Sequence, residues 1–243
     1  MNIEVHPNSV YESLTQYGVA LFPPLYNEQC IQQWNDKLDR FLDNGEAKKR
    51  NYVSVDQLQE LGILDLILNE NLQELIDSLM NDAVLYHCHI YDIEGEQTKP
   101  HIHGDNSFEG WHRDVECLYA AEKDKVHHFS LFVYLTDVDS DNGPFEISPL
   151  STFEMLNRKV PSIKIKGGCG TCFLFDRTFL HRATANKSSI RRRVLKLSFQ
   201  NKGLFNERIL LPEFVKTKER LVNPSVGVLR WFGEESVEVS YAD

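Results

Sequence analysis

Two side chains near the middle of the chain carry the chemistry that the rest must support. They are His112 and Asp114, in a segment reading FEGWHRDVECLY. In an extended segment, residues two apart point to the same face, so an imidazole and a carboxylate project side by side. Together they make two-thirds of a two-histidine, one-carboxylate facial triad, the non-heme Fe(II) site that leaves coordination positions open. Triplets of this kind arise by chance in many chains, so the reading depends on a second histidine from a distant strand. His181 meets that need at the end of the run FLFDRTFLH, which reads as a buried strand followed by a turn. Eleven residues further on is Arg192, in the next expected strand, where a guanidinium can clamp a carboxylate through two parallel hydrogen bonds. Arg191 and Arg193 compete for that role, but Arg192 shares the face of Val194 and Ser198.

The elements that must position these groups fall into two regimes. Residues 8–17 read as a short helix ended by Gly18, and residues 19–22 as a strand stopped by Pro23 and Pro24. Asn27 is placed to cap a helix whose apolar positions Cys30, Ile31, Trp34, Leu38, Phe41 and Leu42 keep helical spacing up to Gly45. Residues 56–80 read as two more short helices. From Ala83 the pattern turns to strands, at 83–93, 111–119, 127–136, 144–149, 160–165, 171–175 and 193–200, with DSDNGP at 139–144 as the clearest turn. Residues 95–110 form a polar loop just before His112, a candidate lid. Beyond 204, LPEFVKTKERLV reads as a helix and VGVLRWFG as a late strand. Helices followed by many short strands predict a sheet sandwich or barrel with helices packed outside.

Alternation inside the strands leaves two readings open. In HHFSLFVYLT, Phe129, Leu131, Val133 and Leu135 share a face opposite His128, Ser130, Phe132, Tyr134 and Thr136. In RVLKLSFQ, Leu195, Leu197 and Phe199 oppose Val194, Lys196, Ser198 and Gln200. Either one face is in solvent, or helices cover the apolar faces and the other faces line a polar pocket.

Composition narrows the classes. The chain has 243 residues, 42% hydrophobic and 26% charged, ordinary for a globular protein. A net charge of −10 argues against a general nucleic-acid binder. No apolar stretch approaches the ~20 residues that span a bilayer, and the opening residues lack the pattern of a secretory signal. The expectation is a cytoplasmic protein acting on a small molecule. The five scattered cysteines suit reduced thiols, and Cys169 and Cys172, though spaced as C-x-x-C, have no second pair to complete a zinc site.

The ordered set of motifs resembles the phytanoyl-CoA dioxygenase-like family, which includes the ectoine hydroxylase type. The set is WHRD at 111–114, DNGPFEISP at 141–149, KGGCGTCFLFD at 166–176 and FLHRATANKSSIRRR at 179–193, with Asn186 in place. The opening YGVALFPPLYNEQCIQQW fits as well. The resemblance implies a mainly β fold with flanking N-terminal helices, a double-stranded β-helix (jelly roll, cupin-like). It is read as a single domain over 1–243: a helical part to about 82, a jelly-roll core at about 83–203 and an extension beyond.

The resemblance also implies a dioxygenase that uses Fe(II), 2-oxoglutarate and O2. His112, Asp114 and His181 would bind the metal and Arg192 the distal carboxylate of 2-oxoglutarate. His87, His89 and Thr184 would lie nearby, and Trp111, Tyr134 and His103 would line a substrate pocket. Where relatives carry a Pro-Gly-Ser-His turn, this chain has Pro149, Leu150, Ser151 and Thr152. The intact Asp114 separates the chain from the family's halogenases, which replace that residue. Two other classes share these features: a jelly-roll binding protein without catalysis, and a cupin-like metalloenzyme that does not use 2-oxoglutarate.

Overall fold

The computed structural model describes residues 7–43, 50–100, 108–114, 128–149, 162–201 and 210–232. Helix α1 (Pro7–Tyr17) ends at Gly18, whose N–H returns to the Leu14 carbonyl, and strand β1 (Val19–Phe22) follows. Helix α2 (Glu28–Asp43) starts where Asn27 Oδ1 accepts from the Cys30 N–H at 2.7 Å. It buries Ile31, Trp34 and Leu38, spaced along one stripe. The closing Gly45 lies outside the described residues.

Strand β2 (Arg50–Ser54) was not foreseen, because its apolar content is confined to Tyr52 and Val53. Residues 56–80 hold three helices rather than two: α3 (Val55–Glu60), α4 (Leu64–Ile67) and α5 (Glu70–Leu79). Gly62, in the left-handed region at φ 61°, breaks the first from the second.

The remaining strands are β3 (Ala83–Ile93), β4 (His128–Tyr134), β5 (Phe145–Ser148), β6 (Ile163–Ile165), β7 (Cys172–Asp176), β8 (Leu180–Ala183) and β9 (Arg192–Asn201). They form two sheets, one ordered β1-β7-β4-β9-β3-β2 and one β6-β5-β8, with every recorded pairing antiparallel. This is the mainly β jelly roll expected. Of the expected strand at 111–119, His112 forms a bridge to His181, and residues from 115 lie outside the described set.

The alternation in β4 and β9 now resolves. Both strands are buried along nearly their whole length, so neither face is in solvent. Leu131, Val133, Leu195 and Leu197 join the core beneath α2–α5, while Phe132, Tyr134, Phe173, Phe175 and Val194 pack with Phe145 and Ile147 between the sheets. One irregularity matters later. Between Leu85 and His87 the β3–β9 register skips a residue, leaving Tyr86 as a β-bulge. Past it, His87, His89 and Tyr91 stand opposite Ser198, Lys196 and Val194, on the inner face.

The expected late helix is α6 (Leu210–Glu219), and it packs on β3. The late strand is instead helix α7 (Val226–Arg230). Ser225 caps it by accepting from the Val228 N–H, and Val228, Trp231 and Phe232 are buried at helical rather than alternating spacing. Among the described residues no helix is long and apolar enough to cross a membrane.

Candidate metal centre

The chain reaches the centre through a single 3-10 turn at Phe108–Gly110. Gly110 sits at φ 84°, backbone that only glycine adopts without strain. His112 then exchanges two backbone hydrogen bonds with His181, at 3.0 and 2.9 Å, and the Asp114 N–H donates to the Arg177 carbonyl. Residues 69 positions apart are stitched together by backbone alone, with ring centroids 4.4 Å apart.

Each imidazole is aimed by its second nitrogen. His112 Nδ1 lies 2.8 Å from the Gly110 carbonyl and His181 Nδ1 lies 3.0 Å from that of Phe179. A carbonyl only accepts, so both Nδ1 atoms carry a proton and each ring presents its Nε2 to the carboxylate. The Nε2 atoms stand 3.5 and 3.7 Å from the Asp114 carboxylate. All three donor groups fall within 4.8 Å of one another. Two imidazoles and one carboxylate whose donor atoms converge fit a first-row divalent ion with open positions.

Asp114 also holds two cations, both on Oδ2: Lys196 Nζ at 2.8 Å and Arg177 Nε at 2.9 Å. Burial alone would raise its pKa, but Lys196 and His181 outweigh it and hold the carboxyl well below its usual range. Burial pushes His181 down to about 3 against the pull of Asp114, which keeps the imidazole in its ligating, neutral form. The Lys196 ammonium lies 5.8 and 5.9 Å from the ring centroids of Phe132 and Phe175. Sequence reasoning assigned no role to Lys196 or Arg177. The one available signal was a lysine on the inner face of β9, where its neighbours are buried.

Arg192 is buried on that same inner face. Its Nη1 donates to the Gly143 carbonyl, and its Nε meets no hydrogen-bond partner among the described residues. Burial lowers its pKa to about 10, opposed by Tyr134 and Tyr91. Gly143 has φ 82°, and a Cβ there would come within 2.7 Å of the Thr184 carbonyl oxygen and 3.2 Å of Arg192 Nη1. Thr184 and Arg192 thus meet at Gly143. Asn186 fixes the turn into β9 by donating to the carbonyls of Ile190 and Glu94 at 2.8 and 3.2 Å. Arg191 and Arg193 turn the other way, onto Asp92.

His87 and His89 line the inner wall in a stack of rings. His89 lies 4.2 Å from His87, 4.3 Å from Tyr52 and 4.3 Å from Tyr91, centroid to centroid. Burial, then Lys196, lowers His87 to about 4, and burial holds His89 well below its usual value. Both nitrogens of His89 are buried without a hydrogen-bond partner among the described residues. Tyr134 is placed differently from expectation. It sits in the aromatic cluster, and its hydroxyl donates to the Ile165 carbonyl and accepts from the Phe145 N–H, so it offers a wall and no free polar group. Trp111 is buried under the Arg182 guanidinium, 4.7 Å from its ring centre. His103 and the rest of residues 101–107 of the candidate lid lie outside the described residues.

A family model described as phytanoyl-CoA dioxygenase matches residues 14–194, well over half of the chain. A search of curated proteins found none that matches. Solved structures share the fold at low identity. One is the non-heme alpha ketoglutarate dependent epimerase SnoN from nogalamycin biosynthesis, with a TM-score of 0.62 and 15% identity over 80% of this chain and 83% of that one. HygX from Streptomyces hygroscopicus, with nickel and 2-oxoglutarate bound, gives 0.62 and 11% over 82% and 88%. AviO1 from Streptomyces viridochromogenes gives 0.62 and 14% over 83% and 97%.

Proposed function

The chain belongs to the phytanoyl-CoA dioxygenase family, and on that premise we propose that it hydroxylates a small organic molecule, with release of succinate and CO2. Members are enzymes of the 2-oxoglutarate-dependent oxygenase type, with Fe(II), 2-oxoglutarate and O2 as cofactors. One observation carries the proposal. His112, Asp114 and His181 bring three ligand atoms within 4.8 Å of one another, on the same interior that holds Arg192.

In this reading His112, Asp114 and His181 hold the iron on one side. With 2-oxoglutarate bound, iron held there would supply oxidising chemistry, coupling conversion of 2-oxoglutarate and O2 to succinate and CO2 with hydroxylation of the substrate. The rest belongs to the protein. Arg192 holds the distal carboxylate of 2-oxoglutarate, with Gly143 fixing one guanidinium nitrogen. Lys196 and Arg177 occupy Asp114 Oδ2 and leave Oδ1 as the ligating oxygen. Phe132, Phe175 and Phe145 keep that side of the centre free of water. Asp114 as a third protein ligand favours hydroxylation over halogenation. Residues 1–243 act as one catalytic unit.

Protein loaded with Fe(II) without oxygen should develop a visible charge-transfer band when 2-oxoglutarate is added. His112→Ala should abolish it. A band that persists in that variant overturns the ligand assignment.

A further inference from the structure

A cavity of about 190 Å³ lies at the edge of β3, lined by Tyr52, His87, Thr217, Lys216 and Arg220 among others. It exists because β2 stops at Ser54, paired with His89, and leaves the strand edge at His87 and Cys88 uncovered. Helix α6 roofs the gap, pinned where Thr217 Oγ1 donates to the Tyr86 carbonyl at 2.8 Å. That volume equals about six water molecules, enough for a tetrahedral or planar anion and a short chain.

The lining is cationic in a protein of net charge −10. Lys216 and Arg220 are exposed and have no ion-pair partner among the described residues. A helix C-terminus favours basic residues, but that does not account for two of them opening onto one cavity with a phenol and an imidazole. Tyr52 Oη and His87 Nε2 lie 2.7 Å apart at its wall.

The wall is also the wall of the metal centre. His87 stands 4.2 Å from His89, centroid to centroid, and His89 is in register with Lys196, whose ammonium rests on Asp114. His87 feels Lys196 and Asp114 from one side and Lys216 and Arg220 from the other.

We propose that this cavity docks the anionic end of the organic substrate, a phosphate or a carboxylate, while its reacting carbon passes His87 to the metal centre. The inference rests on the oxygenase reading above. Lys216 and Arg220 supply charge-assisted hydrogen bonds, and Tyr52 supplies a neutral donor.

Inorganic phosphate and acetate are the probes. Calorimetry on the metal-free protein should show saturable binding of at least one, and the tighter of the two identifies the headgroup. The double variant Lys216→Ala/Arg220→Ala should weaken that binding by roughly tenfold or more. In Mn(II)-loaded protein with 2-oxoglutarate present, the metal should relax the phosphate phosphorus or acetate methyl resonance of the wild type, and the double variant should lose the effect. Both proteins should give the same Fe(II)/2-oxoglutarate band. No binding of either anion, equal affinity in the double variant, or binding without relaxation overturns the proposal. Loss of the band in both proteins, with anion binding intact, would count against the oxygenase reading instead.

Discussion

Asp92 is buried and Asp114 half-buried, and each carboxylate holds two cationic side chains, yet in the proposed reading they do opposite jobs. Asp92 accepts from Arg193 through Oδ2, and from Arg191 at 3.2 Å and Asn51 at 3.4 Å through Oδ1. Arg193 goes on to Asp39 at 2.6 Å, tying α2 to the sheet. Every oxygen is occupied by a group that stays in place. Asp114 instead takes both cations on Oδ2, and its Oδ1 faces His112 Nε2 at 3.5 Å, too far for a strong hydrogen bond. The number of cations does not tell a structural carboxylate from a ligating one. The unspent oxygen does.

The largest expected effect separates the two directly. Asp92→Ala strands guanidinium groups that cannot lose a proton, and should cost about 3–5 kcal/mol of stability, with metal affinity of the folded fraction unchanged. Asp114→Ala should abolish metal binding; Lys196, already lowered by burial, can release its proton, whereas the Arg177 guanidinium that also donates to Asp114 cannot. Denaturant melts and metal titrations of both variants check this. Loss of metal binding in Asp92→Ala, or its retention in Asp114→Ala, would break the comparison.

The neighbouring arginines sharpen it. Arg192→Ala should weaken 2-oxoglutarate binding by about ten- to a hundredfold, the range of a lost hydrogen bond to a charged group, read by titrating the band. Metal affinity should stay the same.

Acid gives the next effect. The folded-state values of His87 and His89 lie below 6.5, at about 4 for His87. The unfolded chain therefore binds more protons between those values. Stability is complete above pH 6.5 and falls as pH drops toward about 4, by roughly 1.4 kcal/mol per pH unit for each imidazole. Replacing both by Gln should flatten the slope of stability against pH in metal-free protein. The smallest effect is at Arg191, which is 36% exposed. Its replacement by Ala should cost under about 1 kcal/mol, so a loss matching that of Asp92→Ala would move the centre of the structural network.

Much of the site was legible because it follows strand phase. Alternation in β4 and β9 separated inner from outer residues, and the inner set already contained Arg192, Lys196 and Ser198. His112, Asp114 and His181 were legible from order and spacing. What escaped depends on how distant segments meet. Nothing local marks Arg177 as the partner of a carboxylate 63 positions earlier. Strand β2 escaped because a short edge strand has little apolar content to alternate. Helix α7 was misread because five apolar residues in eight fit both periods, and the Ser225 cap, not hydrophobicity, decided between them.

The bulge at Tyr86 has a consequence for the phase of the interior. Upstream of it Leu85 stands opposite Phe199 on the outer face, and downstream His87 stands opposite Ser198 on the inner one. A strand has only two phases, so one residue more or fewer exchanges them. Deleting Tyr86 would leave a regular ladder with Leu85 still opposite Phe199 and His87 still opposite Ser198. Pairing Tyr86 into the ladder with Leu85 kept in place would instead set Tyr86 opposite Ser198, turning Cys88 and Ile90 toward the metal centre and the imidazoles toward the helices. A polar interior and an aliphatic one thus differ by a single inserted residue, and the imidazole wall is an outcome of counting as much as of composition.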